Sequence, residues 1–164
     1  MTFETVTPER YKFQEFQLKL KNYLVEDNLI YDIGKNNKYD YSPRFKEYIY
    51  KTVDRMMSKE PDIFLDLEYD TIDLPQADAV ICNGVTEQCD NPFKVLESLD
   101  KMLKNKGYIL FGIASVGYPI YDIDYTRFTP NGVRRLLRDY RILEEEIMYR
   151  NELPSYILLI VQKR

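Results

Sequence analysis

Apolar and polar positions follow two different periods along this chain, and the clearest alternation between them lies in the second half. Ala79 to Cys82 is a short apolar run rich in branched residues, and it breaks at Asn83-Gly84. A segment with helical period runs from Pro92 to Leu103, Gly107 punctuates it, and Tyr108 to Ile113 is apolar again. Runs that are apolar without alternation belong to strands buried on both faces, so the pattern predicts a βαβ unit in a covered parallel sheet. Ligands of such sheets bind at the carboxyl ends of the strands. Asn83-Gly84 and Ala114-Ser115-Val116-Gly117 fall at those ends.

The rest of the chain extends the same reading. Thr7 as cap, Pro8 in the first turn and Glu9 behind it predict a helix start. That helix runs to about Val25, with Phe13, Phe16, Leu20 and Leu24 on one stripe. Strands are predicted at Leu29 to Ile33, Tyr48 to Asp54 and Asp62 to Leu67, with a helical turn near Pro43 to Glu47 and an acidic loop over 68–78. A tyrosine-rich loop covers 116–128. Thr129-Pro130 opens a last helix ending near Asp139. Strands at Ile142 to Tyr149 and Tyr156 to Val161 join through a hairpin turn at Asn151 to Pro154. Only about fifteen residues separate the first two strands, and fewer than ten separate the second and third. The second gap is too short for a crossover helix, since a full βαβ connection takes at least ~10–12 residues. That leaves a thin sheet edge for a second copy to cover, which points toward a homo-oligomer.

Length and composition narrow the function. With 164 residues, 45 % hydrophobic and 30 % charged, the chain reads as one domain, 1–164, whose first 28 residues form an N-terminal helical segment. A net charge of −4 without a polybasic face argues against a nucleic-acid partner. No apolar run approaches the ~20 residues of a membrane span, and the first residues lack signal-peptide order. The expected location is cytoplasmic. Histidine is absent, which excludes a Ser-His-Asp triad, a histidine base and histidine metal clusters. Cys82 and Cys89 read as a buried strand residue and a helix-entry residue, and no metal site is expected. Most of the 15 tyrosines should be packing residues with the hydroxyl at the rim.

With these elements in order, several segments carry a family resemblance. They are LIYDIG at 29–34, YKTVD at 50–54, FLDLE at 64–68, ADAVICNGVTEQCDNPFKVLESLDKMLKNKGYILFGI at 77–113, RFTPNGVRRLL at 127–137 and YILLIV at 156–161. As an ordered set, this resembles a small class I S-adenosylmethionine-dependent methyltransferase. The resemblance implies an α/β fold with three Rossmann-like layers: a mostly parallel sheet with an antiparallel last strand, its helices trimmed on one side. It implies S-adenosyl-L-methionine as cofactor. The methionine end would lie at Asp32 and Gly34, the ribose at Asp54, the adenine at Asp66 and Leu67, and Asn83 and Gly84 would line the remainder. A carboxylate suits a ribose because it accepts two hydroxyl hydrogen bonds at once. Each of these residues also has a plainer reading, as a turn cap, a surface charge or a turn glycine.

The chain departs from the family pattern in places. Glycines expected after the first strand are replaced by Lys35, Asn36 and Asn37. Asn best tolerates the left-handed region that those glycines occupy, and Lys35 adds a cation for the cofactor's carboxylate. Glu87-Gln88 stands where relatives have Glu-His, and the Asn-Pro-Pro-Tyr mark of base methylation is absent. On the acceptor side the 116–128 loop offers Tyr118, Tyr121, Tyr125 and Arg127. That composition suits a polyol, a glycan-type acceptor or a small amine, or equally a solvated loop in which Arg127 anchors Asp122 or Asp124. Any catalytic base would be Asp122 or Asp124, then Glu87. The expected function is methyl transfer to a small-molecule or glycan-type acceptor. The alternatives are a non-catalytic binding or assembly protein that lost the donor site, a protein or nucleic-acid methyltransferase, and a nucleotide-binding oxidoreductase.

Overall fold

The branched apolar runs assemble into one seven-stranded sheet in the order β3-β2-β1-β4-β5-β7-β6. The computed structural model describes residues 7–36 and 38–164. The strands are β1 (Leu29–Ile33), β2 (Ile49–Asp54), β3 (Ile63–Phe64), β4 (Ala77–Asn83), β5 (Leu103–Ala114), β6 (Tyr140–Arg150) and β7 (Leu153–Lys163). β1 to β5 are parallel, and β7 lies antiparallel between β5 and β6. Helices α1 (Pro8–Phe16), α2 (Pro92–Met102) and α3 (Pro130–Leu136) each have proline in the first turn behind a capping side chain. Thr7, Asn91 and Thr129 are the caps, each accepting a bond from a first-turn amide that no helical carbonyl reaches.

Two apolar layers cover the sheet. On one face Val95, Leu99 and Met102 of α2 and Val133 of α3 pack on Val80, Phe111 and Leu159. On the other, Phe13, Phe16 and Leu20 pack on Ile81, Leu110 and Leu158. This second layer comes from the N-terminal segment because the β1–β2 connection contains only a short 3-10 turn, Ser42–Phe45. No described helix is long and apolar enough to cross a membrane.

Several elements differ from the sequence expectation. The first helix stops at Phe16 rather than Val25 and continues as a 3-10 helix, Gln17–Tyr23. The tighter winding aligns residues three apart, which brings Gln17 and Leu20 onto the buried stripe. The third strand shrinks to Ile63–Phe64. Asp62 instead accepts bonds from the Thr52 amide and hydroxyl at 2.7 and 2.8 Å, taking a ladder place on the outer edge of β2. Because Ile63 pairs with Val53 at the end of β2, the chain never travels back along the sheet, and no crossover helix is needed. β5 begins at Leu103, directly after α2. Its register with β4 shifts before Tyr108, where the chain passes through a left-handed Lys106. The β2–β3 edge leaves Ile49, Met56, Met57 and Phe64 exposed.

Candidate functional site

A cavity of about 580 Å³ opens over the carboxyl ends of β1, β2, β4 and β5. Two glycines make its floor. Gly34 follows β1 with φ +83°, and its amide donates to Val53 O at 2.9 Å. A Cβ there would lie 2.7 Å from Val85 Cγ2, so a side chain is excluded by both conformation and contact. Gly84 follows β4 with φ +68° and donates to Gly112 O at 2.9 Å. At these points the backbone turns away from the sheet and leaves room above it. Neither Lys35 nor Asn36 adopts a left-handed conformation. Asn36 holds the turn by another device, its Oδ1 accepting from the Lys38 amide at 2.9 Å. Asn37 lies outside the described residues.

Asp32, Gly34, Lys35, Asn36, Asp54, Asp66, Leu67, Asn83 and Gly84 all line this cavity. Burial pushes the Asp32 carboxyl up to about 7; the bond it accepts from the Tyr50 hydroxyl works against that, and the Asp40 charge adds to it. Asp54 is buried, with Oδ1 accepting from the Met56 amide at 2.7 Å and Oδ2 from Lys59 Nζ at 2.9 Å. Asp66 Oδ1 accepts from the Glu68 amide. Asn83 Oδ1 accepts from the Tyr156 hydroxyl at 3.1 Å and lies over Gly112, where a Cβ would fall 2.0 Å away. Lys35 reaches across the rim to donate to Glu60 O at 2.6 Å.

Of the residues expected on the acceptor side, Tyr118, Tyr121, Asp124 and Glu87 line the cavity, whereas Asp122, Tyr125 and Arg127 do not. Asp122 and Tyr125 are exposed. Arg127 anchors the loop: it pairs with Asp124 and donates to Pro119 O. Asp124 Oδ2 also accepts the Tyr121 amide, so its carboxylate is committed to loop structure. Glu87 is 3 % exposed; Oε1 accepts from the Ala114 amide at 3.1 Å, while Oε2 is buried without a hydrogen-bond partner. Burial raises its carboxyl to about 7, against the bonds from the Glu87 and Ala114 amides and the charge of Arg127. The sequence reading missed Arg10, Arg55, Lys59, Glu68 and Tyr156, all of which line the same cavity. For Tyr156 a signal existed: an antiparallel strand beginning at the carboxyl edge delivers its first residues to the site, and Tyr156 pairs with Ala114.

The strand order, the reversed β7 and the glycine turns after β1 and β4 give this chain the fold of class I S-adenosylmethionine-dependent methyltransferases. Among solved structures, it resembles the N-methyltransferase NodS from Bradyrhizobium japonicum WM9 in complex with S-adenosyl-L-homocysteine. The TM-score is 0.71 at 13 % identity, over 97 % of this chain and 89 % of that one. The 1,6-didemethyltoxoflavin-N1-methyltransferase of Burkholderia thailandensis, with 1,6-didemethyltoxoflavin and S-adenosylhomocysteine bound, matches at TM-score 0.65 and 12 % identity, over 99 % and 93 %. TehB from Haemophilus influenzae matches at TM-score 0.70 and 12 % identity, over 91 % of this chain but only 62 % of its own. No family model matches the chain, and no curated protein matches it in sequence. At such identities the likeness is one of fold.

Proposed function

We propose that the protein transfers a methyl group from S-adenosyl-L-methionine to a small-molecule or glycan-type acceptor. The supporting observation is the cavity itself. It is open, its volume lies in the ~300–1,000 Å³ range of small-molecule sites, and it sits where two positive-φ glycines bare the strand ends. The residues fit the donor. Asp32 and Gly34 would face the methionine end, Asp54 the ribose, Asp66 and Leu67 the adenine, and Asn83 and Gly84 the remaining wall. Asp54 keeps acceptor capacity despite Lys59, because each carboxylate oxygen has two lone pairs. When bound, the donor supplies an electrophilic methyl group on a sulfonium. The chain supplies alignment and the exclusion of water. Tyr118, Tyr121 and Tyr156 wall the acceptor side, with Tyr118 and Tyr156 edge to face at 5.5 Å. Where the acceptor must lose a proton, Glu87 is the candidate, since its second oxygen has no other partner.

Isothermal titration with S-adenosylhomocysteine tests this reading. Saturable heat is expected, and silence at millimolar ligand removes the enzyme. The rival reading, a methyltransferase fold kept as a binding or assembly module, draws on the Lys59 ammonium already seated on Asp54 and predicts that silence. The reading also includes a homo-oligomer formed over the thin β2–β3 edge; a single monomeric species in sedimentation velocity would remove that part.

A further inference from the structure

The cations around the cavity are not equivalent. Arg55 pairs with Glu68, Lys59 pairs with Asp54, and Lys35 is held by the Glu60 carbonyl. Arg10 projects from α1 into the same cavity and has no acidic partner among the described residues. Its guanidinium lies 4.3 Å from the centre of the Tyr39 ring and donates one bond, at 3.0 Å, to the Tyr41 hydroxyl. Arginine carries five N–H donors in a fixed fork, so most of this group's capacity is uncommitted.

We propose that Arg10 binds the carboxylate at the methionine end of the donor, a task shifted here from the loop after β1 to the N-terminal helix. The inference rests on the function proposed above and adds a residue to its donor site. Three observations carry it. The first is position: Tyr39 and Tyr41 directly follow the β1 loop, and Arg10, Phe13 and Tyr41 share one cavity with Asp32 and Gly34. The second is pre-organisation. Phe13 packs edge-on to Tyr41 at 5.6 Å, and Arg44 clips α1 to this segment by donating to Gln14 O at 2.7 Å. A guanidinium already stacked and bonded loses little freedom when it takes up a ligand. The third is need. The loop that replaces the family's glycines commits Lys35 to the Glu60 carbonyl and the Asn36 side chain to its own backbone. A planar fork with free N–H groups matches a carboxylate in two parallel bonds.

The test compares two ligands that share the adenosine half. S-adenosylhomocysteine has the amino-acid end, and 5′-methylthioadenosine lacks it. Calorimetry on the wild-type chain and on Arg10→Gln and Arg10→Lys gives a binding readout that needs no acceptor. Arg10→Gln is expected to weaken S-adenosylhomocysteine about tenfold to a hundredfold, the range of a charge-assisted pair, and to leave 5′-methylthioadenosine within about twofold. Arg10→Lys is expected to recover part of the loss, because it returns the charge without the fork. Equal losses for both ligands, or no loss for either, would overturn the inference and leave the methyltransferase reading standing. Failure of both ligands to bind the wild-type chain would overturn that reading and the inference with it.

Discussion

Gly34 shows how one residue can decide whether the site exists. Its φ of +83° and the 2.7 Å approach of a Cβ to Val85 Cγ2 act together. Gly34→Ala should therefore cost about 1–3 kcal/mol of stability from strain and overpacking, and it should also weaken S-adenosylhomocysteine. Pairing it with Val85→Ala should restore part of the stability, because the contact is removed while the conformation stays unfavourable. Denaturant melts of the single and double variants measure this, and strict additivity would show that the contact does not matter. Glu87 gives a pH-dependent case. Burial raises its carboxyl from 4.5 to about 7. Between those values the folded chain holds a proton that the unfolded chain has released, so stability falls as pH rises through that window. Glu87→Gln removes this part of the slope. The variant-minus-wild-type difference in stability should rise between pH 4.5 and 7 by up to about 3 kcal/mol at the conversion of ~1.4 kcal/mol per unit. Asp32, raised from 3.8 to about 7 by burial, adds a slope of the same sign that remains in the variant. Parallel stability curves would show that Glu87 titrates normally in the fold.

At the scale of elements, the β6–β7 hairpin makes the sharpest prediction. Its turn is Asn151-Glu152, with φ +48° and +66°. Two left-handed residues in a two-residue loop match the twist of the strands, and Asn-Gly is the preferred pair. Glu152→Gly should therefore stabilise the chain by about 0.5–1 kcal/mol, since glycine removes the Cβ penalty at positive φ; a lower melting temperature would refute this. That hairpin was legible in the sequence because two apolar runs flank a turn signal. β4, α2 and the end of β5 were legible for a related reason: each is buried strongly enough that burial alone writes its period. The place of β3 was legible but not its length, because only two residues pair and Asp62 takes the place of a third through its side chain. The tail of the first helix was misread because Gln17, a polar residue, is buried with the apolar stripe. Among the residues that line the cavity, those at strand ends could be read from topology. Arg10 could not, since it reaches the cavity only through the packing of α1 on the segment after β1.

At the scale of the whole molecule, the proposed donor site draws on most of the sheet, since α1, β1, β2, β4, β5 and β7 all contribute to one cavity. A ligand there should stabilise the fold as a unit as well as locally. At 100 times its dissociation constant it adds about 2.7 kcal/mol; at ~2–4 °C per kcal/mol for a domain of 150–250 residues, that is a rise of about 5–11 °C in the melting point. Hydrogen exchange can separate the two effects. Segments that open only with global unfolding, such as the centres of β4 and β5, should slow uniformly with that stabilisation. Amides that open locally in the free chain should slow only where the ligand blocks that opening, by up to the same factor. With S-adenosylhomocysteine those amides are expected at 34–36, 54–56, 66–68 and 84–87, whereas the turn at 151–152 lies away from the cavity and should exchange as before. The 116–125 loop should respond less than these segments, because its tyrosines wall the proposed acceptor side. Strong local protection there, with none at 54–56 or 66–68, would mean that the ligand sits on the acceptor side and that Asp54 and Asp66 do not hold the nucleoside.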